Sequence, residues 1–257
     1  MKVYELHYQK NIRDIGGMIG FSGKKVKSGR IFRGGFLDKI APEDVPILES
    51  FKLTDVVDFR GETEFINRPD YVLLGVKYHN FPVLQQNVKN EHLKHQDGNL
   101  LWFIGDHSSG FEHMTKIYHD MIVTKDGQEA FKNYFKILMQ DDDRVIYFHC
   151  SQGKDRAGMA AFLTEIALGV SLEDAKEDYL ASNKAMLIRV DTLLRQVEYK
   201  DFYNEEYKQS LFDVFSAKLA YLQVSIDAME NMSGTILDYI KNVLEVDIDR
   251  LREMYLE

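Results

Sequence analysis

The stretch "RVIYFHCSQGKDRAGMAAFLTEIALG", residues 144–169, changes character twice. Its first seven residues, Arg144 to Cys150, are mostly β-branched and aromatic, the composition of a buried strand. From Met159 to Leu168 it is apolar almost throughout and it stops at Gly169, as a helix packed on a sheet stops with glycine after its last turn. A short polar loop joins the two. Strand, tight loop and helix in that order point to an α/β fold.

Working outward, "TDVVDFR" at 54–60 and "GVKYHNFPV" at 75–83 repeat the strand composition, and the three runs read as strands of one sheet. Beyond Gly169 the pattern turns helical: Ser171 caps a helix with Asp174 reaching back, and the periodicity continues to Glu257 with a break near "NMSG" at 231–234. The connection from 85 to 130 is polar at first and then amphipathic, with Trp102, Phe103, Phe111, Met114, Ile117 and Tyr118. A connection this long inside a compact domain reads as a helical lid. The expectation is one α/β domain over residues 1–257: a central sheet flanked by helices, the lid, and a helical C-terminal part from 183 to 257.

Composition narrows the function. Of 257 residues 45% are hydrophobic, ample for a core, yet no run approaches the roughly 20 apolar residues of a membrane span. The N-terminus "MKVYELHYQKNIRD" has no apolar signal-peptide run, so a cytoplasmic location is expected. A net charge of -9 argues against non-specific nucleic-acid binding, so any bound phosphate needs a local positive site. A single cysteine excludes an internal disulfide framework.

That cysteine sits in the loop "HCSQGKDRAG", residues 149–158. The first turn of a helix carries unpaired N–H groups and partial positive charge, and successive N–H groups around a tight loop form a nest for an anion. Ser151, Gln152, Gly153, Lys154, Ala157 and Gly158 would supply that nest, Gly153 permitting close backbone approach or positive φ. A thiol in such a field ionises readily, and thiolate is the nucleophilic form. Arg156 adds a planar guanidinium that fits two phosphoryl oxygens, and Lys154 a point charge. His149, at the buried strand end, suits a role in orienting the loop. The chemistry implied is phosphoryl transfer to Cys150 followed by hydrolysis of the phosphocysteine. The proton donor for the leaving oxygen has one candidate in the loop, Asp155, and others at Asp97, Asp106 and Asp120. No metal or organic cofactor is required.

The sequence resembles the bacterial tyrosine-phosphatase-like proteins with an HCxxGKDR loop. "NIRDIGG" at 11–17, "GRIFRGGFL" at 29–37, "VVDFR" at 56–60, "DYLASN" at 178–183 and the C-terminal "GTILDYIKNVLEVDIDRLREMYL" resemble further elements of that family. The resemblance implies a cysteine-phosphatase-like fold, Cys150 as nucleophile, Arg156 as phosphate clamp, and Lys154 with Asp155 as the distinguishing pair. It implies phosphorylated protein or phosphoinositide as substrate. Ala157 stands where the family carries a hydroxyl that assists breakdown of the phosphocysteine. Val83 follows the Phe-Pro after which some relatives carry aspartate, which favours Asp155 as the acid.

Arg13, Asp14, Asp58 and Arg60 read better as a salt-bridged scaffold for the loop than as substrate contacts. His92 and His95 lack a third ligand at metal-binding spacing. The competing readings are a non-catalytic phosphate-recognition module and a thiol redox enzyme, the latter disfavoured for want of a resolving cysteine.

Overall fold

Six strands form one mixed sheet in the computed structural model, which describes residues 2–9, 11–84, 109–140, 143–201 and 203–257. They are β1 (Lys2–Tyr4), β2 (Ile12–Asp14), β3 (Ile31–Gly35), β4 (Asp55–Asp58), β5 (Lys77–Asn80) and β6 (Ile146–Cys150), in the order β1-β2-β3-β6-β4-β5. The first three pair antiparallel, and β3, β6, β4 and β5 run parallel. The sequence signals at 54–60, 75–83 and 144–150 are thus three of these four parallel strands, β3 being the fourth. β6 lies between β3 and β4 and is buried along its whole length, as its unbroken apolar run requires.

Two short helices, α1 (Val45–Ser50) and α2 (Glu62–Asn67), lie between the central strands. The long helices are α3 (Gly110–Val123), α4 (Lys125–Leu138), α5 (Arg156–Ala167), α6 (Leu172–Ala181), α7 (Asn183–Val197), α8 (Glu205–Phe215) and α9 (Leu219–Ser233). α10 (Ile236–Asp238) runs into a π turn, and α11 (Ile248–Tyr255) closes the chain. This is an α/β phosphatase fold with a helical C-terminal part.

α5 is covered on every side, which explains a sequence with almost no polar face; each large side chain such as Phe162 or Leu163 contributes about 1.5–3 kcal/mol by burial. It ends as its glycine implies, Gly169 adopting φ +80° against Phe21. Ser171 accepts from the Asp174 N–H, although Asp174 reaches back to the serine hydroxyl and not to the backbone.

The expected lid span divides. Residues 85–108, including Trp102, Phe103, Asp97, Asp106, His92 and His95, lie outside the described residues. Residues 110–130 form α3 and the start of α4, whose Met114, Tyr118, Met121 and Ile122 are part of the core packed against α8 and α9. That amphipathic stretch therefore faces inward. Among the described residues, no helix is long and apolar enough to cross a membrane.

Candidate active site

Parallel strands open a crevice at their carboxyl ends, and β6 delivers Cys150 there, opposite Gly35 of β3, with His149 opposite Asp58 of β4. The loop turns at once into α5. Gly153 has φ +69°, and a Cβ there would sit 2.3 Å from the Gly34 carbonyl carbon; a Cβ on Gly34 would in turn meet the Tyr147 hydroxyl. The paired glycines of "FRGGF" and the loop glycine thus allow one backbone to lie on another.

Two buried side chains set the loop's backbone orientation. Asn11 Nδ2 donates to the Gln152 carbonyl at 3.1 Å, and Arg33 Nη2 donates to the Gly153 carbonyl at 2.9 Å. Both carbonyls are thereby turned to buried donors of the β2 and β3 segments. Arg33 is anchored by Asp178, which also faces Arg13 at 3.5 Å, while Arg13 donates to Ser182 at 3.1 Å. Burial, then the adjacent Arg33 charge, lowers Arg13 to about 10. Glu165 completes this cluster; burial first and Asp178 second raise its pKa well above the carboxylate range.

The second support is a quartet of opposite charges. Arg60 bridges Asp58 at 2.7 Å and Asp70 at 3.2 Å, and the His149 ring reaches Asp70 at 2.9 Å and Asp58 at 3.7 Å. Asp58, Asp70 and His149 lie close enough to hold an ion, but Arg60 already spans the two carboxylates. Burial opposes charge on His149, yet the two aspartates outweigh it and its pKa is raised. A raised folded value means stability present below the unfolded value of about 6.5 and lost as pH rises through the folded one. His149→Asn should therefore flatten the fall in urea midpoint from pH 6 to 9; an unchanged slope would show that His149 is not the titrating group.

Asp14 accepts from the Gly16 and Gly29 N–H groups at 2.8 and 2.7 Å. Together with Arg13, Asp58 and Arg60 it is buried in these internal bonds.

Arg156 emerges from the first turn of α5 and meets a residue the sequence does not single out. Glu64 of α2 takes both terminal nitrogens, Nη1 at 2.6 Å and Nη2 at 3.1 Å, and also accepts from the Ser151 hydroxyl. Nη2 donates to Ser151 Oγ at 3.0 Å. Burial disfavours the Glu64 charge, but Arg156 and these donors hold its carboxyl at about 2.

Lys154 departs from its expected place in the nest. Its ammonium is buried, donating to the Val214 and Ser216 carbonyls at 2.7 and 3.1 Å and pairing with Asp155 Oδ1 at 3.0 Å. The carbonyls ending α8 form the negative end of a helix dipole, a better-matched site for an ammonium than a loop already lined with N–H groups. Ala157 is fully buried in the helix, and Gly158 gives Arg33 and Tyr179 room to approach.

The sequence profile of the tyrosine phosphatase family matches residues 4–257. The chain belongs to that family. It is 29% identical over 248 residues to a Cupriavidus necator protein named "putative tyrosine-protein phosphatase", covering 96% of this chain and 85% of that one. It is 24% identical over 281 aligned positions to the triple specificity protein phosphatase PtpB of Mycobacterium tuberculosis, with both chains wholly covered. Membership of the family makes the chain a phosphatase-type hydrolase, and the crevice above Cys150 its candidate active site.

Proposed function

We propose that this phosphatase is a cysteine-dependent phosphomonoesterase acting through a phosphocysteine, on phosphorylated protein or phosphoinositide. The observation that carries the reading is the outward hold of Asn11 and Arg33 on the Gln152 and Gly153 carbonyls above Cys150. It leaves a preorganised ring of N–H donors around the position of a transferring phosphoryl group, where electrostatic stabilisation costs no reorganisation.

In the first step the Cys150 thiolate attacks phosphorus, and the P–O bond breaks with its electron pair leaving on the substrate oxygen. Asp155 gives that oxygen a proton. In the second step water passes a proton to Asp155 and attacks phosphorus, and the P–S bond breaks with its pair returning to sulfur. Asp155 suits the task by position: it is the N-cap residue of α5, yet its carboxylate makes no cap bond and is partly exposed. Asp120, the other described candidate, is occupied by Lys116 and His119 on α3.

Ala157 offers no hydroxyl to the second step, so hydrolysis of the phosphocysteine should limit turnover. Stopped-flow mixing with p-nitrophenyl phosphate is expected to give a burst of about one equivalent of nitrophenolate. Mass spectrometry should find the phosphoryl group on the peptide holding Cys150, and Ala157→Thr should shrink the burst. No hydrolysis of phosphotyrosine peptides, phosphoinositides or the aryl ester, with tungstate still bound, would make the loop a phosphate-recognition module instead.

A further inference from the structure

Asp155 Oδ1 is approached by two buried donors. Tyr118 of α3 donates its hydroxyl proton at 2.7 Å, and Lys154 Nζ lies at 3.0 Å from the same oxygen. Behind Tyr118, Tyr179 of α6 donates to the Tyr118 hydroxyl at 2.9 Å, with the Lys218 carbonyl at 3.3 Å as its competing acceptor. The two rings meet edge to face, and Tyr118 also lies against Tyr221 of α9. Ser225 of α9 fixes the Tyr118 backbone, donating to its carbonyl at 2.7 Å. Tyr118 is inaccessible to solvent and Tyr179 nearly so.

The geometry points to Tyr118, backed by Tyr179, as the positioning residue of Asp155: it pins Oδ1 and leaves Oδ2 as the atom that gives and takes the proton. The inference rests on the reading of Asp155 as the acid and base of the reaction. An N-cap aspartate ordinarily bonds to the first N–H groups of its own helix, and such a bond would take this carboxylate out of service. The phenol competes for it across 37 residues of chain. Burial, then the Asp155 charge, raises Tyr118 well above the usual phenol range, so it stays a donor across the working pH. Because Tyr179 donates into Tyr118, the chain of hydroxyls polarises toward the carboxylate, which strengthens the terminal bond. Tyr118 touches neither phosphate nor thiol in this role and acts only through Asp155. Among the described residues, Arg156, on its own helix, and Tyr221 also interact electrostatically with Asp155.

The test compares esters that need the proton to different degrees. A phenolate leaving group depends on general acid catalysis, whereas nitrophenolate departs almost unaided. Tyr118→Phe keeps the ring and should lower kcat/KM for phenyl phosphate about tenfold, with p-nitrophenyl phosphate changing by about twofold or less and inhibition by tungstate unaltered. In the Asp155→Asn background the same substitution should have no further effect on phenyl phosphate. Tyr179→Phe, one bond further away, should show the same pattern at about threefold. An equal loss with both esters, or a loss that persists in Asp155→Asn, would make Tyr118 merely structural and overturn the inference. Wild-type turnover of phenyl phosphate by Asp155→Asn alone would instead overturn the acid assignment on which it rests. If Tyr118→Phe does not fold, Tyr179→Phe decides by the same comparison.

Discussion

Cys150→Ser is expected to lower turnover of an aryl phosphate by about 10⁴-fold or more while leaving oxyanion binding intact. The thiol is 2% exposed at the end of the central strand, so a serine there neither opens a cavity of consequence nor disturbs the paired backbone. On the proposed mechanism what it removes is the nucleophile, because a serine hydroxyl attacks phosphorus far less readily than cysteine sulfur. The nest is unaffected, since its shape comes from Asn11, Arg33 and the close approach of Gly153 to Gly34. With the sulfur replaced by a smaller hydroxyl, tungstate should bind at least as tightly as to the wild type, measured by calorimetry. Retained turnover in this variant would exclude the phosphocysteine route, whereas lost tungstate binding would mean that the thiolate, and not the loop backbone, organises the site.

The parts of this site that follow from local sequence are those encoded over a few residues. The run 144–150 is apolar because β6 has neighbours on both edges and layers on both faces, and α5 reads as buried for the same reason. Gly153 and Gly169 mark positive φ, which a sequence displays openly. Contacts between distant segments are not encoded that way. Glu64 is legible as a helix-start residue, since its carboxylate accepts from the Gly61 N–H, but nothing in "GETEF" announces a partner 92 residues away. The "DYLASN" segment shows the same limit. Asp178 holds Arg33, Tyr179 meets Tyr118, Ser182 accepts from Arg13, and Asn183 exchanges two hydrogen bonds with Ala217. Its residues lie along a helical turn at the back of the loop, and only the fold reveals what each one holds.

Lys154 and the stretch 110–130 sit in surroundings that local sequence does not specify, for a related reason. Charge and amphipathicity specify what kind of surroundings a side chain needs without specifying which surroundings it gets. An ammonium next to an anion nest and an ammonium on the carbonyls of α8 satisfy the same local rule, and so do a lid and a core helix.

Arg156→Lys is expected to cost about 10²- to 10⁴-fold in kcat/KM, more than the conservative charge suggests, because Arg156 has two duties at once. Its terminal nitrogens hold Glu64 in a bidentate pair, and on the proposed mechanism the guanidinium so fixed must also serve the phosphoryl oxygens. A lysine can satisfy either the carboxylate or the phosphate, not both. Glu64 is held at about 2 against its usual 4.5, so the wild type gains stability from the ionised carboxylate above pH 4.5 and loses it as pH falls toward 2. Glu64→Gln, which keeps one hydrogen bond to Arg156 but not the charge, should lose only about tenfold in kcat/KM and should lack that acid-sensitive component. Steady-state kinetics and urea midpoints at pH 6 and pH 3 read both effects. If Arg156→Lys and Glu64→Gln cost the same, the arginine acts chiefly as a strut for the loop; if the glutamine variant loses far less than the lysine variant, the guanidinium is the phosphate clamp and Glu64 its holder.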